Sequence, residues 1–322
     1  MNIPVFDFHC DTALALLGRN FSGSGSLRRN TLHIDLERAA TLQGYAQCFA
    51  CYTSPWENRL TDGITVEDVF NKELAVILGE IESNNDVIRL AKSAEDVQQN
   101  YLDGYMSGIL TIEGTAGISY DPQKLSSLYN TGFRVSTLGW NEKNPLTGSH
   151  KTGGGLTDRG REYVKEAQRL GILVDVSHIS DEGFWDIIEI TQAPVIASHS
   201  NSRHVFGSSR NLTDDMFLAI CQTGGVAGFN LYGYFIGENA DLNTAADHFM
   251  HFLELDPEGK HIALGGDLDG CDVLPEGFSG VQDYPKLARV LSERGLSKSM
   301  IENIFWNNAL GVMNSALCNN QR

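Results

Sequence analysis

Six side chains of metal-binding type stand at the ends of apolar runs spread along the chain: His9, Asp11, Glu113, His178, His199 and Asp267. His9 and Asp11 follow Val5-Phe6-Asp7-Phe8, a nearly all-apolar run without alternation, the pattern of a strand covered on both faces. In extended backbone, residues i and i+2 face the same side. The imidazole and the carboxylate are therefore offered together while Cys10 points away. Glu113 closes Gly108-Ile109-Leu110-Thr111-Ile112, with Gly114 behind it for a turn. His178 closes one later apolar run, His199 the next, and Asp267 follows Ile262-Ala263-Leu264-Gly265-Gly266. A charge at the mouth of an apolar strand costs free energy unless something pairs with it. Three imidazoles and three carboxylates form the N/O donor set of zinc or a similar divalent ion. Six donors exceed the needs of one tetrahedral site, so the set points to two ions that share a carboxylate and hold a bridging hydroxide.

The elements that must bring these residues together are legible as alternation. Apolar strand patterns cover residues 5–8, 47–51, 108–114, 133–140, 171–178, 193–199, 225–231 and 262–270. Between them lie helical patterns at 65–82, 93–102, 122–129, 157–170, 181–191, 213–222 and 240–255, with a helical tail over 284–317. Eight strands alternating with helices, with no Pro- or Ser-rich linker and no internal repeat, predict an α/β fold of the (β/α)8 TIM-barrel class. One domain is expected over residues 1–322. Enzymes of that class carry their chemistry on the carboxyl ends of the strands. The Gly/Ser/Arg-rich stretch 17–30, directly after His9 and Asp11, is placed to act as a lid.

Composition narrows the partners. Lys+Arg 24 against Asp+Glu 41 gives a formal net charge of −17. A surface that acidic repels phosphate backbones and anionic lipid, so neither nucleic acid nor membrane is an expected partner. No stretch approaches a membrane span, and no basic-then-apolar leader opens the chain. Six scattered cysteines make no disulfide framework, and a cytoplasmic, reduced protein is expected. Cys48-x-x-Cys51 invites a metal or redox reading. Residues three apart in a strand face opposite sides, however, and buried thiols are the simpler expectation.

The sequence resembles the renal (membrane) dipeptidases, metallopeptidase family M19, among the metal-dependent hydrolase barrels. The resemblance runs through Asp7-Phe8-His9-Cys10-Asp11, Ile112-Glu113-Gly114, Asp175-Val176-Ser177-His178, Ala197-Ser198-His199-Ser200-Asn201-Ser202-Arg203, Arg210-Asn211-Leu212-Thr213 and Gly266-Asp267-Leu268-Asp269-Gly270. It implies two zinc ions per chain, one on His9 and Asp11 and one on His178 and His199, bridged by Glu113. It also implies that Asp267 orients the attacking water and passes its proton on, and that Arg210 grips the substrate's carboxylate. The implied substrate is a small dipeptide, including ones with a C-terminal D-residue, and the implied assembly is a homodimer. One departure stands out. Where family members have a histidine that polarises the scissile carbonyl, this chain has Trp140 in Leu138-Gly139-Trp140-Asn141. His150, ten residues on, can reach in from its loop, although a solvated loop histidine is the plainer expectation.

The substitution at Trp140 keeps open a second enzymatic reading: an amidohydrolase of N-acyl amino acids or related amides and lactones. A non-catalytic metal-binding barrel is a third. Among the remaining residues, Tyr232 is placed to line the pocket, and His204, in the loop after His199, is within reach of the rim without being counted as a site residue. His248 and His251, three apart on a helix, are expected on its solvent face, and His33 and His261 to be structural.

Overall fold

Parallel pairing carries the architecture of the chain, described by a computed structural model for residues 2–18, 25–55 and 63–318. The strands are β1 (Pro4–Cys10), β2 (Gly44–Tyr52), β3 (Ile88–Leu90), β4 (Met106–Glu113), β5 (Phe133–Thr137), β6 (Leu173–Asp175), β7 (Val195–Ile196), β8 (Ala227–Phe229) and β9 (Ile262–Leu264). They pair in the order β7-β6-β5-β4-β2-β1-β9-β8, and a parallel bridge from Ala197 to Ala227 joins the two ends. Eight strands thus close into the predicted (β/α)8 barrel. The additional β3 pairs with β4 outside the ring. Its three residues, Ile-Arg-Leu, are too few to show a period in the sequence.

Helix boundaries follow local capping chemistry. Thr65 and Asp68 form a capping box at the start of Val66–Ser83, and Ser93 caps Ala94–Leu102. Thr157 opens Asp158–Leu170 and Gly171, at φ 81°, ends it. The tail departs from a continuous helix. Tyr284–Glu293 stops before Gly295, whose φ is 101°, and Ser297 caps a new start at Lys298. A π-helical turn over Asn303–Asn307 then leads into Asn308–Cys318.

Two apolar layers result. The lumen is filled from nearly every strand of the ring, by Phe6, Phe8, Ala46, Cys48, Ile109, Val135, Leu173, Ile196 and Ala263. Trp306, Ala309, Val312 and Met313 of the tail pack into this cluster and close one end of the barrel. The second layer lies between strands and helices and holds Cys10, Phe49 and Cys51. Cys48 and Cys51 therefore face opposite sides as free buried thiols. Among the described residues, no helix is long and apolar enough to cross a membrane. Residues 19–24, the middle of the expected lid, fall outside the described residues.

Candidate metal centre and active site

The first ligand pair depends on a fault in a strand. In β1, Asp7 pairs with Gln47 and Cys10 with Phe49, so Phe8 and His9 together oppose Cys48. This is a β-bulge. Phe6 and Phe8 face the lumen. Strict alternation would then send His9 outward and Cys10 inward. The extra residue reverses both, and His9 turns toward the barrel mouth while Cys10 joins the outer core. The Oδ1 of Asp7 accepts the His9 amide at 2.9 Å and the Gly266 amide at 2.9 Å. The fully buried Asp7 also accepts from Tyr284 Oη.

The later ligands lie beyond their strands. His178, His199 and Asp267 each sit three residues past the last residue of β6, β7 and β9. His178 and Asp267 have left-handed backbone, with φ of 70° and 56°, which turns their side chains inward at a conformational cost. Glu113 is the last residue of β4. Gly114 behind it has φ 72°, and a Cβ there would collide with the Thr53 carbonyl oxygen.

Together these side chains make one cluster. Glu113 divides its carboxylate: Oε2 is 3.3 Å from His9 Nε2, while Oε1 is 2.9 Å from His178 Nε2 and 3.5 Å from His199 Nε2. His9 Nε2 is 3.7 Å from Asp11 Oδ2 and 3.9 Å from Asp267 Oδ1. The Nε2 atoms of His178 and His199 are 3.0 Å apart. Their other nitrogens are committed. His178 Nδ1 donates to Asn141 Oδ1 at 3.0 Å. His199 Nδ1 donates to Ser198 Oγ at 2.6 Å, and that hydroxyl donates to Asp175 Oδ2 at 2.5 Å. Both Nε2 atoms therefore present lone pairs to each other and to a carboxylate oxygen. Burial, reinforced by nearby cations, holds both imidazoles well below their usual pKa, hence neutral. A cation among these donors relieves the repulsion. Asp11 Oδ1, buried without a partner among the described residues, is a further ligand atom. The set fits divalent ions.

Burial pushes Glu113 up to about 7 and Asp267 up to about 6, against the opposing pull of His9. Asn230 Nδ2 donates to Asp267 Oδ2 at 3.0 Å, which leaves Oδ1 on the His9 side. Arg210 is buried, and its Nη1 donates to Ser200 Oγ at 2.7 Å. Its Nε and Nη2, also buried, have no partner among the described residues.

A cavity of about 650 Å³ opens over this cluster. Asp11, Glu113, His178 and Asp267 lie on its floor side, and Tyr52, Trp140, Asn141, His150, Lys151, Tyr232, Tyr234 and Phe235 among its walls. Trp140, His150 and Tyr232 thus all border the site. His150 is not a solvated loop residue. Its Nε2 is 2.7 Å from Asn141 Oδ1 and its Nδ1 3.0 Å from Ser209 Oγ. Burial, with Arg210 and Lys151 adding, lowers it to about 3. Asn141, Asn230, Asp175 and Ser198 are not singled out in the sequence, because their roles depend on contacts with other strand ends. His248 departs from the expected solvent face: it is fully buried, with Ile236 O 3.0 Å from its Nε2. His204 does not line the cavity. It stacks on His251 at 4.2 Å, and His251 Nε2 is 2.8 Å from Asp214. His33 and His261 hold backbone groups of Asp269 and Gly225, as structural residues do.

Comparison with known proteins places this geometry. The family model described as membrane dipeptidase (peptidase family M19) matches residues 1–322. An uncharacterized dipeptidase of Schizosaccharomyces pombe is 36% identical over 223 residues, 67% of this chain and 54% of that protein. The chain thus spans about half the length of that relative. A metallopeptidase from Rhodobacter sphaeroides, solved with a phosphinate mimic of the dipeptide L-Ala-D-Ala, superposes with a TM-score of 0.88 at 26% identity. That match covers 98% of this chain and 100% of that one. A structure of dipeptidase AC, a metallopeptidase of family M19, gives 0.87 at 29% identity, over 98% and 99% of the two chains.

Proposed function

The chain belongs to peptidase family M19, the membrane dipeptidases, and on that premise we propose that it is a dinuclear zinc dipeptidase cleaving free dipeptides. His9 and Asp11 would hold one ion and His178 and His199 the other, with Glu113 within reach of both pairs. Ions bound there supply a hydroxide nucleophile at neutral pH and polarise the scissile carbonyl.

The chain's own groups do the rest. Asp267, kept in one orientation by Asn230, takes the proton released by the attacking water through its free oxygen. It then returns that proton to the leaving amine. Arg210 holds the C-terminal carboxylate through Nε and Nη2, a bidentate pairing suited to its planar fork. Trp140, Tyr232 and the other wall aromatics shield the bond under attack from bulk water. His150, neutral in this setting, is held at the cavity wall by Asn141 and Ser209 and helps to shape the pocket.

Arg210 is the observation that carries the peptidase reading. A buried guanidinium with two unpaired donors is costly unless an anion arrives to meet them. The exposed carboxylate of Asp272 on the cavity wall favours a substrate with a free amine, a dipeptide rather than an N-acyl amino acid. The test is a panel of L-Xaa-L-Xaa and L-Xaa-D-Xaa dipeptides with matched N-acetylated analogues, alongside metal analysis of the protein. Two ions per chain and turnover of free dipeptides are expected. Turnover confined to the acetylated compounds would move the assignment to the amidohydrolase reading, and no turnover of any would reject it.

A further inference from the structure

The mouth of the barrel is electrically polarised by its topology. In the ring order, β5 and β9 are four strands apart among eight, so the loops following them face each other across the cavity. The loop after β9 brings Asp269 and Asp272 to the wall, and the loop after β5 brings Trp140, His150 and Lys151. Lys151 Nζ lies 5.8 Å from the centre of the Trp140 ring, which is 6.0 Å from the ring of His178. The same loop touches the arginine side of the site, where His150 Nδ1 meets Ser209, the residue before Arg210, at 3.0 Å. Arg203, the other cation nearby, is engaged by both oxygens of Asp181 at 2.7 and 2.8 Å. Among the described residues, Lys151 has no ion pair. In a chain with 17 excess negative charges, an unpaired Lys151 on this wall, carried by the loop that meets Ser209 beside the buried Arg210, is a local reversal of sign.

From this juxtaposition we infer that Lys151 selects dipeptides whose C-terminal residue is Glu or Asp. The inference rests on the dipeptidase reading. With the α-carboxylate on Arg210, the side chain of that same residue is the part of the substrate directed at the loop after β5. Its carboxylate is the natural counterion for Lys151, while the N-terminal amine lies toward the acidic wall opposite. Trp140 flanks the path and packs against the methylenes of the side chain. The selection acts on binding, through an ion pair open to solvent, so it is modest and screened by salt.

The experiment compares Ala-Glu with the near-isosteric Ala-Gln, each C-terminal residue supplied in both configurations. Glu-Ala and Gln-Ala control for position. The proteins are the metal-loaded wild type, Lys151→Gln and Lys151→Arg. In low salt, wild type is expected to favour Ala-Glu over Ala-Gln about fivefold in kcat/KM, the size of one solvent-exposed ion pair, chiefly through KM. The ratio should shrink toward one in added salt and in Lys151→Gln, and persist in Lys151→Arg. Calorimetric binding of free glutamate and glutamine should show the same ordering without turnover. Equal rates on Ala-Glu and Ala-Gln would overturn the inference while leaving the dipeptidase reading intact. So would a preference that survives Lys151→Gln, or one that appears for Glu-Ala instead. Failure to cleave any of the four peptides rejects the dipeptidase reading and this assignment with it.

Discussion

Asp7 and Asp175 stand on opposite walls of the barrel and perform the same task. Each accepts the amide two residues ahead, His9 for Asp7 and Ser177 for Asp175, at 2.9 Å in both cases. Each also accepts an amide from the adjoining strand's end, Gly266 at 2.9 Å and Ser198 at 2.8 Å. A buried carboxylate thus ties two neighbouring strand ends together beneath each half of the metal-binding cluster. Asp175 accepts two hydroxyls, of Thr137 at 2.6 Å and Ser198 at 2.5 Å, where Asp7 accepts one from Tyr284, and Ser198 orients His199.

Replacing Asp175 by Ala leaves two amides and two hydroxyls buried without their acceptor. A loss of about 3 kcal/mol or more is expected in urea unfolding. Metal affinity should fall about 10–100-fold through the freed His199 ring. Asp175→Ala with wild-type metal affinity would show that Ser198 does not orient the ligand.

Arg210→Met removes two charge-assisted bonds to the proposed C-terminal carboxylate. At about 1.5 kcal/mol or more each, the loss in kcat/KM for dipeptides is about 100-fold, borne by KM. Dipeptide amides, which lack that carboxylate, should lose far less. An equal loss on both substrates would mean that Arg210 supports the fold of the site and not the substrate.

Asp267→Asn keeps the side chain's shape and its neighbours but cannot carry a proton. An expected fall of about 10²–10⁴ in kcat, with the number of bound ions unchanged, would fit the proton-transfer role. A variant that retained wild-type kcat would end that assignment.

Glu73 gives a pH test outside the proposed chemistry. It is fully buried, its Oε2 accepts the Tyr52 amide at 2.6 Å, and its Oε1 has no partner among the described residues. Burial raises its pKa well above the usual carboxylate range. The folded protein therefore holds a proton there that the unfolded chain has already released. Its contribution to stability is complete below the unfolded pKa and is lost as pH rises toward the folded one. Glu73→Gln cannot ionise, so its stability relative to wild type should climb with pH above about 4.5. The slope is at most about 1.4 kcal/mol per pH unit. Denaturation midpoints of both proteins from pH 4 to pH 8 measure this, and a constant difference across the range would show that Glu73 is charged in the fold.

The sequence by itself determined the barrel and the inventory of its mouth. Eight apolar runs separated by amphipathic helices admit few other closed solutions, and charged residues at the ends of such runs need partners. Helix starts at Thr65, Ser93 and Thr157 were legible because a cap acts within one turn of chain. Beyond that, information had to come from distance in space. The i, i+2 rule says that His9 and Asp11 share a side, but not which side. The bulge against Cys48 decides it, and a bulge is a property of two paired strands. His248 looks like a surface helical residue until Ser202 and Ile236 are brought around it. Asn141 and Asn230 act on His178 and Asp267 from 37 residues away, and Ser198 can fix its neighbour His199 only because Asp175, 23 residues back, holds its hydroxyl. Local patterns fix what a short segment wants to bury or cap. Which lone pairs end up facing one another is decided when the ring of strands closes.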